Sequence, residues 1–205
     1  MTTSPTPPCI DLDIDGKIAR VIFNHPAARN ALTWPMYEDL KKICDSLASN
    51  PDIRVVIFRG AGDKAFVSGS DIQQFVDLKK DEAYEVAVDH IFASLQQLPM
   101  PTIAMIKGLA VGSGLLMATA CDFRISTKDA RFGIPVARTL GNCLSASNLS
   151  WLAAHLGIPT VKKMLLTADL IQAPELLGSG FLYQTAEAVD IDATVNMLAD
   201  RKSVV

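Results

Sequence analysis

Nearly continuous apolar runs alternate along the chain with amphipathic helical patterns. Residues 10–24 predict two strands around a turn at Asp15 and Gly16, because apolar and polar residues alternate on both sides of that turn. The runs 53–60 and 102–108 are almost entirely apolar, which is typical of parallel strands buried on both faces. The other strand-like segments are 122–127, 130–135 and 180–184.

Helical patterns lie between these strands. Thr33 is a predicted N-cap, with Pro35 in the first turn and apolar residues at helical spacing as far as Leu47. Ser70 and Gln73 have the spacing of a capping box, which predicts that a second helix opens there. Further helices are predicted at 81–98, 115–121, 145–166 (interrupted at Gly157), from Pro174 and from Ile191. Strands that alternate with helices in this way indicate the α/β class.

Composition narrows the function classes. A chain of 205 residues is long enough for one ordinary domain, and 49% hydrophobic residues with a net charge of −3 exclude a disordered chain. That charge gives no electrostatic reason to expect nucleic acid or an anionic membrane as a partner. No apolar run reaches the roughly 18 residues of a membrane span, and the N-terminus lacks the pattern of a signal peptide. We therefore expect a cytoplasmic protein.

The residues that most often bind metals are scattered. The four cysteines and three histidines show none of the spacings of a zinc or redox site. We therefore expect reduced thiols in or near the core and no metal centre.

Two Gly/Ser-rich loops are the first candidates for chemistry. The segments 68–72 and 111–114 each follow a predicted strand and lead into a predicted helix. The first N–H groups of a helix have no partner within the helix, and the helix dipole favours negative charge there. Two such loops that face each other can donate two hydrogen bonds to one oxygen, as in an oxyanion hole. The alternative is that both loops are only tight turns.

Five segments in register resemble motifs of the crotonase superfamily, also called the enoyl-CoA hydratase/isomerase family. They are 24–32 (NxP followed by NAL), 64–72 (AFSAGADI), 101–114 (PxIAxxxGxAxGGG), 121–126 (CDxRxA) and 132–136 (FxxPE). Together they extend over most of the chain.

The resemblance implies an α/β fold, a spiral of repeated ββα units, assembled as a homo-oligomer (a trimer or a dimer of trimers). We expect a lead-in at 1–9, an acyl-CoA-binding core at 10–188, and at 189–205 the start of a truncated C-terminal helical region. The apolar stripe Ile191, Val195 and Leu198 has no following partner in the sequence, which suggests that most of that region is missing.

The resemblance also implies a ligand, an acyl-CoA thioester, with coenzyme A as part of the substrate and no separate cofactor. The thioester oxygen is then held by the backbone N–H groups of Ser70 and Ser113. Ser113 stands where the family usually has Gly, but a backbone donor does not depend on its side chain. The positions expected to bind coenzyme A or substrate are Arg29 (a phosphate contact, suggested by its charge), Ala31, Ser68, Asp71, Ile72, Gly112, Pro135 and Val136.

Two expected carboxylates are absent. The family's hydratases use one acid three residues beyond the second oxyanion donor and another after the Pro of FxxPE, and these positions are Leu116 and Val136 here. Standard two-Glu hydration is therefore not expected. Arg138 and Asn142 remain as tentative catalytic residues. Three interpretations stay open: a lyase or isomerase whose reaction the sequence does not assign, a non-catalytic acyl-CoA-binding paralogue, and a truncated scaffold.

Overall fold

The structure, a computed structural model, describes residues 7–71, 82–136 and 144–203. The strands are β1 (Cys9–Asp15), β2 (Ile18–Asn24), β3 (Val55–Gly60), β4 (Ala65–Val67), β5 (Thr102–Ile106), β6 (Leu109–Val111), β7 (Phe123–Thr127), β8 (Arg131–Gly133), β9 (Ile171–Gln172) and β10 (Gln184–Ala186). The α-helices are α1 (Trp34–Ala48), α2 (Glu82–Gln96), α3 (Ser113–Ala120), α4 (Ala146–Leu156), α5 (Ile158–Thr167), α6 (Ala173–Gly178) and α7 (Ile191–Ser203).

From β3 to β8, consecutive strands alternate between two sheets. The six-stranded sheet has the order β1-β2-β3-β5-β7-β10, and the four-stranded sheet has the order β4-β6-β8-β9. Each of β3, β5 and β7 lies in the larger sheet, and the strand that follows each of them lies in the smaller one. One pair of strands is therefore one turn of a spiral, with α2 and α3 following the first two pairs. The predicted α/β class and ββα spiral are confirmed.

The central strands β3 and β5 of the larger sheet are buried on both faces, as their apolar sequences predicted. In β3, Val56 and Phe58 face the main core, which lies between the sheets and the helices α1 to α3. Val55 and Ile57 face the opposite side and belong to a second apolar cluster. Because both faces exclude water, a period-two pattern does not appear in this strand.

Helix α7 covers the outer face of the larger sheet. Its residues Ile191, Val195 and Leu198 are buried against Val55 and Ile103 of the sheet. The apolar stripe therefore has a partner in the larger sheet. The partner consists of strands that precede the helix in the chain, so a search for a following segment could not find it.

We expect Ile191→Ala to lower the free energy of unfolding by about 3 kcal/mol, because the side chain is fully buried and the substitution leaves a cavity. Met197→Ala in the same helix is the matched control. Its side chain is 59% exposed, so its effect should stay within about 0.5 kcal/mol. Urea unfolding of both variants measures the difference, and equal effects would contradict the packing of α7 on the sheet.

Several predicted boundaries need correction. The strand predicted at 180–184 begins only at Gln184, because Phe181 and Leu182 are buried one after the other in an irregular segment. β1 begins at Cys9, inside the predicted lead-in. Val111, which we assigned to the start of a loop, is the last residue of β6. Of the helix predicted to open at Ser70, residues 72–81 lie outside the described chain.

The segment that resembles CDxRxA stabilises the fold. The Asp122 carboxylate accepts hydrogen bonds from the N–H and the hydroxyl of Thr102, at 2.8 and 2.9 Å. The Arg124 guanidinium donates to the backbone oxygens of Phe181 and Cys121, and it lies 4.8 Å above the Phe181 ring. This motif therefore links β5, β7 and the segment before β10, and these structural contacts account for its charges without a role in chemistry.

Candidate functional site

The loops after β4, β6 and β8 form a row. These strands are parallel neighbours, so their carboxyl ends lie at one edge of the smaller sheet. The Gly112 N–H donates to the Gly133 oxygen at 2.9 Å, and a methyl group added at Gly112 would lie 3.6 Å from the Cα of Gly69. On the other side, Leu32 pairs with Ser70 in a parallel bridge. In parallel α/β sheets this edge is where ligands bind.

The backbone amide of Ser70 points toward the β6 side of this row. The Leu32 N–H donates to the Gly69 oxygen at 2.9 Å, and the Asp71 N–H donates to the Leu32 oxygen at 2.8 Å. In a parallel bridge, the residue between two such bonds directs its own N–H and C=O to the opposite side. For Ser70, the opposite side is that of β6, whose carboxyl end leads through Gly112 to Ser113.

Ser113 is the first residue of α3. Gly112 is its N-cap, with φ at 57°, a conformation that favours glycine. The Ser113 N–H has no intrahelical acceptor because it lies in the first turn. Gly114 fixes this turn against β4, since a methyl group there would lie 2.0 Å from the Val67 oxygen. The first turn of α3 and the loop after β4 are thus held at close range.

Tyr37 is the site residue that the sequence analysis missed. It extends from α1, is fully buried, and places its hydroxyl 2.8 Å from Ser70 Oγ. Burial raises the pKa of the Tyr37 hydroxyl, while the nearby hydroxyls of Ser70 and Ser113 act in the opposite direction. The sequence did contain an indication of this role. Tyr37 has helical spacing with Leu40 and Cys44 on the buried face of α1, and a buried Tyr hydroxyl usually has a hydrogen-bond partner.

The segment expected to bind coenzyme A lies beside the loop after β4. Ser68 Oγ donates to the Ala28 oxygen at 3.2 Å. Asn30 is buried, and its side-chain amide donates to the oxygens of Ala61 at 3.0 Å and Ala65 at 2.7 Å. Asn30 thereby ties the segment to the β3–β4 connection and the first residue of β4, while its neighbour Arg29 stays exposed with φ at 54°.

A pocket of about 170 Å³ adjoins this segment. Two cationic side chains, those of Arg29 and Lys64, are among the residues that line it. The complete lining is Pro26, Arg29, Asn30, Ala61, Gly62, Asp63, Lys64 and Ala65. The same lining contains one carboxylate, that of Asp63.

Comparison with known proteins assigns the family. The family model described as enoyl-CoA hydratase/isomerase matches residues 13–200. The chain belongs to the enoyl-CoA hydratase/isomerase family. It is 30% identical over 192 residues to the short-chain-enoyl-CoA hydratase of Clostridium acetobutylicum, covering 93% of this chain and 73% of that one. It is 31% identical to the crotonyl-CoA hydratase of Syntrophomonas wolfei, with 94% and 74% covered.

The same assignment holds in three dimensions. The crystal structure of an enoyl-CoA hydratase/carnithine racemase from Magnetospirillum magneticum superposes with a TM-score of 0.91 at 32% identity. The match covers 96% of this chain and 74% of that one. The resemblance that the five sequence motifs indicated is confirmed.

This member of the enoyl-CoA hydratase/isomerase family has apolar side chains at the two positions where carboxylates were expected. Leu116 lies on α3, one turn beyond Ser113, and is 4% exposed. Val136 follows β8 and the half-buried Pro135, and it packs partly buried against the main core. The tentative catalytic residues Arg138 and Asn142, and the expected contact Ile72, lie outside the described residues.

One carboxylate of this family member is held between helices. Asp89 of α2 accepts a hydrogen bond from the Asn148 side-chain amide at 2.8 Å and one from Ser145 Oγ at 3.5 Å. Ser145 is the N-cap of α4, where the helix dipole favours a negative charge. These contacts give Asp89 a structural role in joining α2 to α4.

The described residues contain no candidate metal site and no candidate membrane span, and two of their cysteines are buried. Among residues 7–71, 82–136 and 144–203, no group of three His, Cys, Asp or Glu residues is placed to hold a metal ion. Cys44 and Cys121 are buried free thiols, and burial raises the pKa of Cys44 to about 12. No helix within those ranges has both the length and the apolar character needed to cross a membrane.

Proposed function

We propose that this protein binds an acyl-CoA thioester and holds the thioester carbonyl oxygen between the backbone N–H groups of Ser70 and Ser113. The observation that supports it is the direction of the Ser70 amide, away from Leu32 and toward the strand that leads into Ser113. The start of α3 adds a second unpaired N–H and the positive end of a helix dipole. An oxygen that carries or develops negative charge is the ligand group that such an arrangement binds best.

The coenzyme A part of the ligand is proposed to lie along Arg29, Ala31, Ser68 and Asp71. These residues belong to two segments that hydrogen-bond to each other beside the carbonyl site. Arg29 and Lys64 bring positive charge to the adjoining pocket. Phosphate groups of coenzyme A are anions that Arg and Lys side chains bind.

The proposed reaction is not hydration by two carboxylates, because Leu116 and Val136 cannot transfer a proton. A carbonyl site of two amides can still stabilise an enolate or a tetrahedral intermediate, so the first candidate is thioester chemistry that draws its acid and base from elsewhere. The second candidate is acyl-CoA binding without turnover. It is favoured by the burial of Leu116, which places an apolar side chain one turn from the Ser113 donor.

Thermal unfolding with coenzyme A, acetyl-CoA and crotonyl-CoA tests this function. A ligand at a hundredfold its dissociation constant stabilises the folded state by about 2.7 kcal/mol, which we expect to raise Tm by about 5 °C or more. We expect the thioesters to bind more tightly than free coenzyme A, because only they present a carbonyl oxygen. A folded protein whose Tm none of the three changes would contradict the proposal. Product analysis of the bound thioester then separates the enzyme from the binding protein.

A further inference from the structure

The Ser113 hydroxyl is buried and has no hydrogen-bond partner among the described residues. The residue is 8% exposed, and an unsatisfied buried hydroxyl costs about 1–3 kcal/mol. Ser126 and Thr127 also lack hydroxyl partners, but they lie in β7 within the larger sheet. Ser113 instead begins a helix at the carboxyl end of β6, in the row of loops at the edge of the smaller sheet.

The hydroxyls of Tyr37 and Ser70 lie near the Ser113 hydroxyl. Tyr37 and Ser70 are hydrogen-bonded to each other at 2.8 Å. The Ser113 hydroxyl is near enough to lower the pKa of Tyr37, although it is outside hydrogen-bonding geometry with it. We call Tyr37, Ser70 and Ser113 the hydroxyl cluster. Within it, Tyr37 and Ser70 are hydrogen-bonded to each other, and the residues that the structure describes supply no acceptor for the Ser113 proton.

We infer that the Ser113 hydroxyl is a specificity-determining donor, which gives a third hydrogen bond to the ligand carbonyl oxygen held by the two backbone amides. This inference rests on the proposed function. The N–H and the hydroxyl of Ser113 belong to one residue at the start of α3, so a single oxygen at the helix terminus can accept from both. The ligand class that needs three donors is an acyl compound whose carbonyl oxygen gains negative charge, such as a thioester that forms an enolate.

Tyr37 is a positioning residue in this arrangement. Burial disfavours its anion, so the hydroxyl remains neutral at physiological pH and acts through hydrogen bonding rather than as an acid. Its bond to Ser70 connects α1 to the loop that carries the first backbone donor. It therefore influences the carbonyl site without touching the ligand.

The test compares two ligands that differ in one oxygen. Acetyl-CoA has the carbonyl, whereas the thioether S-ethyl-CoA keeps the coenzyme A part and lacks it. We expect Ser113→Ala to weaken acetyl-CoA binding about tenfold, the value of one hydrogen bond, and to change S-ethyl-CoA binding less than about twofold. Tyr37→Phe should weaken acetyl-CoA binding by about threefold and leave S-ethyl-CoA binding unchanged.

Ser126→Ala is the matched control, because it removes another buried hydroxyl without a partner, outside the site. It should leave both affinities unchanged. Ser113→Gly repeats the test if Ser113→Ala does not fold, since it also lacks the hydroxyl. Isothermal titration calorimetry gives all the affinities.

The outcomes separate the two proposals. A wild-type protein that binds neither ligand contradicts the proposed function and, with it, this inference. A wild-type protein that prefers acetyl-CoA, with a Ser113→Ala variant that keeps the full preference, overturns the inference alone. Equal weakening of both ligands in Ser113→Ala shows a merely structural role and also overturns it.

Discussion

Crotonyl-CoA is expected to gain water at least about 10⁴-fold more slowly with this protein than with the related hydratase of Clostridium acetobutylicum. General acid and general base catalysis each contribute about 10²- to 10⁴-fold, and the positions expected to supply them are Leu116 and Val136. The loss of ultraviolet absorbance of the conjugated thioester, followed for both proteins under the same conditions, measures the ratio. A hydration rate within tenfold of that of the relative would contradict the inference that the protein lacks the acid and base of standard hydration.

Restoring one carboxylate should increase the rate of hydration. Val136 is only partly buried, so Val136→Glu places a carboxylate at the row of loops without burying it fully. We expect this variant to exceed the wild-type hydration rate by about 10²-fold, the low end of what one positioned acid or base contributes. Val136→Gln is the matched control because it has the same shape without the charge, and it should show no gain.

Gly114→Ala is expected to destabilise the protein by about 3 kcal/mol or more and to abolish acyl-CoA binding. The added methyl would lie 2.0 Å from the Val67 oxygen and 2.9 Å from its Cβ, so β4 and the start of α3 must move apart. In an unobstructed helix, a Gly→Ala substitution stabilises the protein by up to about 1 kcal/mol. Packing around the added methyl group therefore determines whether the substitution stabilises or destabilises the fold. Chemical unfolding and the thermal titration with acetyl-CoA measure the two effects.

Gly178→Ala provides the control for this experiment. Gly178 is also helical, but no atom lies within 4 Å of an added methyl group. We expect a change between zero and about 1 kcal/mol in the stabilising direction, with acyl-CoA binding retained. A Gly114→Ala variant as stable as Gly178→Ala would show that the contact with Val67 is not rigid.

Local patterns in the sequence predicted most of the fold. Thr33 caps α1 as expected, since its hydroxyl accepts a hydrogen bond from the Met36 N–H at 3.4 Å. The apolar strands β3 and β5 lie inside the larger sheet, and the interruption at Gly157 separates α4 from α5. These features depend on neighbours within a few residues, which is the range over which period and capping signals act.

The site depended on contacts that local patterns do not encode. Leu32, Ser70, Gly112 and Gly133 become neighbours only because alternate strands enter different sheets. Tyr37 seemed to be one more residue on a helix face, and its role follows from a partner in another turn of the spiral. The motif resemblance named Ser70 and Ser113. It could not show the direction of the Ser70 amide, nor that the Ser113 hydroxyl has no hydrogen-bond partner among the described residues.

The pairing of β4 with β6 sets the separation of the two proposed carbonyl donors, the N–H groups of Ser70 and Ser113. Val67 lies opposite Ala110, so the loops that follow these two residues stay side by side whatever the length of the chain between them. An insertion near α2 lengthens the connection between β4 and β5 and leaves the register of β4 and β6 intact. A deletion within β6 shifts that register. The connection through α2 can therefore change in length while the two proposed donors keep their relative positions.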